Sequence, residues 1–432
     1  MKSIFLNFAR LSIFIGSLAV FAQTTSVTNS GTLQTASPVE VGISSERIQK
    51  IEEMLQFAIN ENQVPGAVAL IARDGKIVLH KAYGDANASG KELEKDAIFR
   101  LASQTKAITA TAVMMLWEEG KFRLDDPISK YIPEFENPVI LKDFNEADSS
   151  YTSTPAKNEI TIRHLLTHTS GLGYGRIDGD QRMKKIYTRA GIVELFTEED
   201  ISIGENIKKM AALPLHHEPG EKFTYSVGLD VLGYFIEVIS GQDFDIFLKE
   251  RIFDPLQMND TRFYQPSSKK DRLVAIQHRK DGKWTNFPNT FYNTNYPLTK
   301  DGTYFSGGAG LSGTAKDYAK FLQMYLNGGE YNGTRLLSRK TVAIIMGNQV
   351  GEKFNFPNQY YGLAFGVVTE TGEITGGQGS AGTFDWGGYF NTQYFADPQE
   401  QVIGILLKQT RGNTGDETAW KFRQMLFSAI DD

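Results

Sequence analysis

The sequence predicts an α+β protein in which an antiparallel sheet flanked by helices is joined to a mostly helical lobe. Two observations lead to this fold class. Strand-like runs are concentrated near the two ends of the chain, and the middle alternates short helical patterns with loops marked by Pro and Gly. The two ends must therefore combine into one sheet domain, predicted to comprise residues 39–100 and 301–432, with the helical lobe over residues 101–300.

The first residues have the pattern of an export signal. A positively charged start and an apolar run over residues 11–21 precede Ala22, so residues 1–22 are predicted to be a signal peptide. The run is shorter than the roughly 20 residues of a membrane-spanning helix, which predicts no stable membrane anchor; a buried N-terminal helix is the alternative. The Ser/Thr-rich residues 23–38 are predicted to be a flexible leader. We expect an exported protein, located in the periplasm or the medium.

The sheet domain begins with a helix and a hairpin. Apolar residues at spacings of three and four predict an amphipathic helix over residues 45–61. Two β-rich runs follow at residues 67–72 and 77–83, and the Asp74-Gly75 dipeptide between them is typical of a tight hairpin turn.

The remaining elements follow from periodicity. Residues 106–119 are apolar on almost every side, which predicts a helix inside the protein, and residues 227–240 give the clearest helix of the middle region. A last amphipathic helix carries Trp420 and Leu426. The strand-like runs before it span residues 363–368, 388–397 and 402–408.

Composition excludes several kinds of chemistry. The chain of 432 residues has no cysteine, which excludes disulfides, a thiol nucleophile and thiolate metal sites, and its net charge of −6 gives no reason to expect nucleic acid as a partner. His164 and His168 have the spacing of two metal ligands on one helix face, but Thr169-Ser170-Gly171 ends that segment and no third ligand is evident. Packing or capping is the preferred interpretation, and no metal site is predicted.

Ser103 and Lys106 form a Ser-x-x-Lys motif where the buried helix begins. Three residues apart on a helix, the two side chains share a face, and the helix N-terminus favours a developing alkoxide. The apolar helix would desolvate Lys106 and favour the neutral amine, which can accept the serine proton. By itself the motif is weak, because such a serine is also an ordinary helix N-cap. A second copy, Ser267 to Lys270, lies in a polar stretch and is interpreted as a solvated loop.

Longer blocks of sequence strengthen the motif. They are FRLASQTKAITATAVMMLWEEGKFRLDDPISKYIPEF (residues 99–135), HLLTHTSGL (164–172), FTYSVGLDVLGYFIEVISG (223–241), FLKERIFDPLQMNDTRF (247–263) and SGGAGLSGTAKDYAKF (306–321). In this order they closely resemble the serine β-lactamase-related hydrolases, the class C β-lactamase-like family. The resemblance runs from about residue 40 to the C-terminus. It implies a β-lactamase/penicillin-binding-protein-like fold, with Ser103 as nucleophile, Lys106 as its partner and Tyr225 as proton acceptor and donor.

Two departures from that family narrow the function. β-Lactamases and penicillin-binding proteins usually have an Asn two residues after the position of Tyr225, where this chain has Val227, and an Asn amide can bond the acylamino group of a β-lactam or peptide. Their Lys-Thr-Gly element is absent, and Trp386-Gly387-Gly388 stands in its place. Both changes resemble the family VIII carboxylesterases.

This second resemblance implies further site residues. Trp386 would give an apolar wall for a neutral ester, and Gly387 and Gly388 would let the substrate approach the strand edge. The backbone N–H groups of Ser103 and Tyr389 would form the oxyanion hole. A core tryptophan in a Gly-rich strand is the alternative interpretation of Trp386.

The expected function is carboxylester hydrolysis through an acyl-enzyme, without metal or organic cofactor. A β-lactamase or a D-amino-acid peptidase or amidase is the nearest alternative, since it shares the nucleophile. A non-catalytic penicillin-binding-like homologue is the second alternative, against which the intact Ser103, Lys106 and Tyr225 argue. The expected partner is a small ester or amide, and the sequence leaves the oligomeric state and the acyl chain length open.

Overall fold

The computed structural model describes residues 29–412 and 415–432, and the signal peptide predicted for residues 1–22 lies outside them. The α-helices are α1 (Ser45–Asn60), α2 (Thr105–Glu118), α3 (Ile162–Leu166), α4 (Gln181–Arg189), α5 (Ile203–Ala211), α6 (Gly228–Ser240), α7 (Phe244–Leu248), α8 (Ala315–Leu326), α9 (Arg339–Met346), α10 (Glu370–Gly376) and α11 (Thr418–Ser428). Among these described helices, none is both long and apolar enough to cross a membrane.

The strands are distributed unevenly along the chain. They are β1 (Gln34–Thr35), β2 (Gly66–Arg73), β3 (Lys76–Gly84), β4 (Phe99–Arg100), β5 (Val139–Phe144), β6 (Tyr151–Pro155), β7 (Gln277–Lys280), β8 (Lys283–Asn286), β9 (Ser312–Gly313), β10 (Glu330–Tyr331), β11 (Thr334–Arg335), β12 (Gln359–Tyr361), β13 (Gly366–Val368), β14 (Phe384–Gly387), β15 (Gln393–Asp397), β16 (Val402–Leu407) and β17 (Thr410–Arg411).

The largest sheet joins the two ends of the chain. Its strand order is β1-β3-β2-β16-β15-β14-β13-β12, and every neighbouring pair is antiparallel except β1 with β3. The central pairing sets Val68 opposite Leu407 and Arg73 opposite Val402. The predicted α+β class, with an antiparallel sheet built from both ends, is confirmed.

Both faces of this sheet are covered, and each carries its own core. β2 is buried along its whole length, as expected for a central strand with helices on both sides. One face packs on α1 and α11 through residues such as Leu55 and Leu426. The other face packs on α8 and on the helical region around α2, which is buried from Thr105 to Leu116. The helix predicted to lie inside the protein, over residues 106–119, is therefore the buried helix α2.

The strand predicted over residues 388–397 is wrong in its first half. β14 and β15 are two antiparallel strands, and residues 388–392 form the tip of the hairpin between them. The Gly388 N–H donates to the Thr392 carbonyl at 2.8 Å, which closes the turn. The turn was not predicted because it contains two aromatic residues, Tyr389 and the fully buried Phe390, at positions where turns usually have polar residues.

Part of the predicted flexible leader belongs to the sheet. Gln34 and Thr35 pair with Lys76 and Ile77 of β3, and Leu33 is only 6% exposed. The Leu33 N–H also donates to the Tyr331 hydroxyl at 3.0 Å. The leader boundary predicted at residue 38 is therefore too late. The buried Leu33 and the two strand residues Gln34 and Thr35 hold this otherwise polar segment against the sheet.

Three smaller expectations need correction. The middle of the chain contains the hairpins β5–β6 and β7–β8, whose exposed faces give no alternation of apolar residues to detect. The Ser-x-x-Lys copy predicted as a loop lies in a short 3₁₀ helix, Ser267–Arg272, with no buried residue. In α11, Trp420 is 54% exposed, and Phe422 joins Leu426 on the buried face.

Replacing Leu33 by Ala tests whether this segment is part of the fold. Truncating a buried leucine removes apolar contacts and leaves a cavity, so Leu33→Ala should lower the free energy of unfolding by about 2–3 kcal/mol. Val39→Ala, at a residue that is 68% exposed, is the matched control and should change it by less than about 0.5 kcal/mol. Urea unfolding measures both, and equal values for the two variants would contradict the packing of Leu33.

Candidate active site

Ser103 lies in a single 3₁₀ turn, Ala102–Gln104, immediately before α2. Ala102 has a φ of +46°, in the left-handed region that residues other than glycine rarely adopt. The residues on both sides are buried, whereas Ser103 is half-buried. The turn therefore presents the serine side chain at the edge of an otherwise buried segment. Strain of this kind is often found at functional sites.

Lys106, on the first turn of α2, is completely buried. Its Nζ donates to the Gly308 carbonyl at 2.7 Å, to the Tyr174 hydroxyl at 2.9 Å and to Ser103 Oγ at 3.4 Å. A carbonyl only accepts hydrogen bonds, but a hydroxyl can either accept or donate. These partners fit an ammonium that donates three bonds and equally a neutral amine that accepts one.

A buried carboxylate holds the Gly308 carbonyl in place. The Asp230 Oδ1 accepts from the Ser306 hydroxyl at 2.6 Å and from the Gly308 N–H at 3.2 Å. Burial raises the pKa of Asp230, while the hydrogen bond from Ser306 and the nearby Lys106 charge oppose that rise. The Gly308 carbonyl shares its peptide group with the Ala309 N–H, which donates to Ser306 Oγ at 3.0 Å, so Asp230 holds this peptide through Ser306.

Tyr225 lies across the site from Ser103, two residues before Val227 at the start of α6. Lys106 Nζ is 4.7 Å from the centroid of the Tyr225 ring, a cation–π distance. The Tyr225 hydroxyl accepts from Trp386 Nε1 at 3.4 Å. Within the described chain, no hydrogen bond joins this hydroxyl to Ser103 or Lys106. The structure therefore brings the three predicted catalytic residues together, but Lys106 contacts the face of Tyr225 rather than its hydroxyl.

Tyr174 is the residue that the sequence analysis missed. It provides the phenol that Lys106 bonds, and it is only 2% exposed. Burial raises the pKa of Tyr174 well above its usual value, so the phenol keeps its proton at neutral pH. Tyr174 follows the HLLTHTSGL block by two residues, and extending that block would have found it.

Two buried carboxylates anchor the loop that carries Tyr174. The Tyr174 N–H donates to Asp178 Oδ2 at 2.8 Å. The N–H groups of Gly175 and Arg176 donate to Glu194 Oε2 at 2.7 and 2.8 Å. Burial raises the pKa of Glu194 to about 7, against the hydrogen bonds from these two amides. The backbone of the loop is therefore held from two sides.

The two histidines considered as metal ligands have other contacts. His164 Nδ1 accepts from the Thr161 N–H at 3.2 Å and caps α3. His168 is fully buried, and its ring centroid is 4.4 Å from that of Tyr225. Burial, and then the charge of Lys106, lower the pKa of His168 well below its usual value, so the ring is neutral and supports Tyr225 from behind. In the described residues, no group of three or more acidic or histidine side chains could hold a metal ion.

The hairpin tip forms the opposite wall of the site. The half-buried Trp386 ring is 5.8 Å from the Tyr225 ring, and its indole N–H points at the Tyr225 hydroxyl. A Cβ at Gly388 would lie 2.4 Å from the Leu101 carbonyl oxygen and 2.3 Å from Thr392 Oγ1. Gly388 thus lets the tip pack on the backbone two residues before the nucleophile. Gly388 also lines the cavity that opens at Ser103, so its role in substrate access stays a prediction.

Gly387 lies on the other face of β14. A Cβ there would be 3.2 Å from the Thr392 carbonyl and otherwise has room. Strand alternation directs this position toward Gln393, its cross-strand partner, and away from the Trp386 side. Gly387 nevertheless lines the cavity that opens at Ser103, and the approach of a substrate to this strand edge stays a prediction.

Two backbone amides remain available beside the serine. In the part of the chain that the structure describes, neither the Ser103 N–H nor the Tyr389 N–H donates to a protein acceptor. The close approach of Gly388 to Leu101 brings these two segments together. Arg411 fixes Tyr389, because its guanidinium lies 3.6 Å from the ring centroid and donates to the Tyr389 carbonyl at 3.1 Å. The arrangement suits a pair of oxyanion donors.

Comparison with known proteins identifies the family. A family model described as Beta-lactamase matches residues 47–427, which is most of the chain. The protein therefore belongs to the β-lactamase family and is a serine hydrolase, and the predicted fold and family are confirmed.

Individual relatives agree with this assignment. Esterase EstB of Burkholderia gladioli is 31% identical over 84% of this chain and 90% of its own. A protein of Salmonella typhimurium named a putative D-alanyl-D-alanine carboxypeptidase is 32% identical over 72% of this chain and 71% of its own. Among solved structures, EstCE1, described as a hydrolase with promiscuous acyltransferase activity, has a TM-score of 0.74 and 27% identity over 89% of this chain and 98% of its own.

Substitution at the two glycines tests the packing of the hairpin tip. Gly388→Ala must displace the Leu101 backbone or the tip, so it should cost about 1–3 kcal/mol of unfolding free energy and slow labelling of Ser103 by a fluorophosphonate probe at least tenfold. Gly387→Ala is the matched control, and it should change both quantities much less. If the two variants label at the same rate, the tip does not position the nucleophile turn.

The pH dependence of stability tests the burial of Glu194. A carboxyl whose folded-state pKa is raised stabilises the fold below its unfolded value of 4.5 and loses that contribution as pH rises to about 7. The difference in unfolding free energy between wild type and Glu194→Gln should therefore fall, by on the order of 3 kcal/mol, between pH 4.5 and 7.5 and then become constant. Glu199→Gln, at an exposed residue, is the control. A difference that does not vary with pH would show that the folded-state pKa of Glu194 is not raised.

Proposed function

We propose that the protein is a carboxylesterase that hydrolyses small neutral esters through an acyl-enzyme on Ser103. The observation that carries the proposal is the wall opposite the serine. It presents the Trp386 indole against Tyr225, where penicillin-recognising enzymes place the lysine of Lys-Thr-Gly. An indole packs on apolar groups but cannot hold a substrate carboxylate.

The second feature in favour of esters is Val227. Its side chain is only 1% exposed, packed in the core next to the site. A valine has no group that could bond the acylamino group of a β-lactam or a peptide. Both positions that recognise such substrates are therefore apolar in this chain.

The proposed reaction begins with attack of Ser103 Oγ on the ester carbonyl. The serine proton passes to the Lys106–Tyr225 pair, in which Lys106 Nζ is 3.4 Å from Ser103 Oγ and 4.7 Å from the Tyr225 ring. The N–H groups of Ser103 and Tyr389 stabilise the oxyanion. The same proton then goes to the alkoxide, which leaves as the alcohol.

Hydrolysis of the acyl-enzyme repeats these steps with water. Tyr225, whose ring lies between Lys106 and Trp386, accepts a proton from the attacking water and returns one to Ser103. Tyr174 and the Gly308 carbonyl hold the Lys106 amine throughout. No metal or organic cofactor enters the proposed reaction.

A D-amino-acid peptidase is the second candidate, since the Salmonella typhimurium relative carries a carboxypeptidase name. A carboxypeptidase substrate ends in a carboxylate, and Trp386 offers it no charge. The names of EstB and EstCE1 support the ester proposal instead.

We also propose that the protein acts outside the cytoplasm. The support is the signal-like pattern of residues 1–22. Residues 11–21 are shorter than a membrane span, so the proposal includes cleavage after Ala22 and release into the periplasm or the medium.

Hydrolysis assays with matched substrates test the ester proposal. Wild type should hydrolyse p-nitrophenyl acetate and butyrate and turn over nitrocefin far more slowly, whereas Ser103→Ala should lose ester turnover by roughly a thousandfold or more. Ser267→Ala, in the exposed second copy of the motif, is the control and should keep full activity. Fast nitrocefin turnover with negligible ester cleavage would instead place the protein with the β-lactamases.

A further inference from the structure

The cavity that opens at Ser103 extends beyond the catalytic face of the sheet. It has a volume of about 570 Å³ and is lined by residues from both sides of the β14–β15 hairpin. Strand alternation separates the two sides. Trp386 lies on the Ser103 side, whereas Asp385 and Gly387 point to the opposite face, toward α11. The cavity therefore continues around the hairpin tip.

The part of the cavity on this second face is a crevice between α11 and the sheet. Its floor includes Gly387, which has no side chain, and the Phe395 ring, which covers Gly404: a Cβ on Gly404 would lie 2.3 Å from that ring. We call this part the α11 crevice, and its walls are formed by Gly387, Phe395, Gly404, Leu406, Ala419 and Phe422. At the same place Trp420 is 54% exposed, although it belongs to the lining. A large exposed indole beside an apolar crevice is typical of a ligand contact.

The charged groups of the crevice neutralise one another. Arg423 Nη1 donates to Asp385 Oδ2 at 2.5 Å, and Gln359 Nε2 donates to the same oxygen at 2.9 Å. The Arg423 guanidinium also bonds the Gln378 carbonyl and lies 4.9 Å from the Phe395 ring centroid. Among the described lining residues, Arg423 is the cation and Asp385 the anion, and each is occupied by the other. The crevice therefore suits an uncharged ligand.

Amide side chains add hydrogen-bonding groups. Gln378 and Gln393 line the cavity and are half-buried, and in the described chain their side-chain amides bond no other protein group. Each amide can both donate and accept. An apolar crevice with such amides at its rim fits a flat apolar group that carries a neutral polar substituent.

We propose that the α11 crevice is a substrate subsite for the part of the ester remote from the reacting carbonyl. The ligand class is an uncharged aromatic or alicyclic group, joined to the ester by a linker that passes the hairpin tip. The cavity volume matches a ligand of drug size rather than a simple acetyl ester. This inference rests on the proposed esterase function, because the crevice is continuous with Ser103.

Two p-nitrophenyl esters that share a leaving group test the subsite. One is the acetate, and the other is the ester of 4-(2-naphthyl)butanoic acid. Ala419→Leu fills the crevice from the helix side and should lower kcat/KM for the naphthyl ester at least tenfold, mainly through KM, with less than a twofold change for the acetate. Trp420→Ala, an exposed position that does not threaten folding, should act in the same direction. Gln424→Leu, on the exposed side of α11, is the matched control.

A binding measurement separates the failure of this inference from the failure of the esterase proposal. Calorimetry with 4-(2-naphthyl)butanamide, which is uncharged, should give saturable binding to Ser103→Ala and at least tenfold weaker binding to Ser103→Ala/Ala419→Leu. If Ala419→Leu and Trp420→Ala leave the turnover of both esters unchanged, the subsite proposal is wrong and the esterase proposal stands. If the amide binds in a way that depends on Ala419 but the wild type hydrolyses no ester, the esterase proposal is wrong and the ligand site stands.

Discussion

The burial of the Lys106 amine is the constraint on which the rest of the site depends. A buried amine needs a polar partner for every hydrogen, and here the partners come from three separate places in the chain: Ser103, Tyr174 and Gly308. Each partner is in turn held by a buried carboxylate or a buried helix. The nucleophile, the loop after α3 and the loop before α8 must therefore meet at one point.

The second constraint is the packing of the hairpin tip against the nucleophile turn. Gly388 touches the Leu101 backbone, and Arg411 fixes Tyr389 from outside. The strand that provides Trp386 therefore also sets the distance across the site. In the proposed mechanism, the Trp386 wall and the Tyr389 oxyanion donor are therefore linked through a turn of five residues.

Much of this could be predicted from the sequence, because the signals are local. Ser103 and Lys106 share one helical turn, and the resemblance to the hydrolase family implies Tyr225 as their partner. The interactions that were missed are not local. Tyr174 meets Lys106 only in the folded chain, and the turn after Gly387 carries aromatic residues that resemble a strand. The packed segment around Leu33 depends on Tyr331, which is far away in the sequence.

The pairing of β2 with β16 has a consequence for how the protein is made. Arg73 is paired with Val402, so about three quarters of the chain lies between the two strands at the centre of the sheet. Such a contact closes a very long loop and forms slowly. A nascent chain that lacks its last strands has no central sheet. Helix α2 then lacks the sheet as one of the two surfaces that it packs against. Assembly of the central sheet therefore waits for synthesis of the C-terminal strands, and a chain that stops before β16 cannot form this pairing.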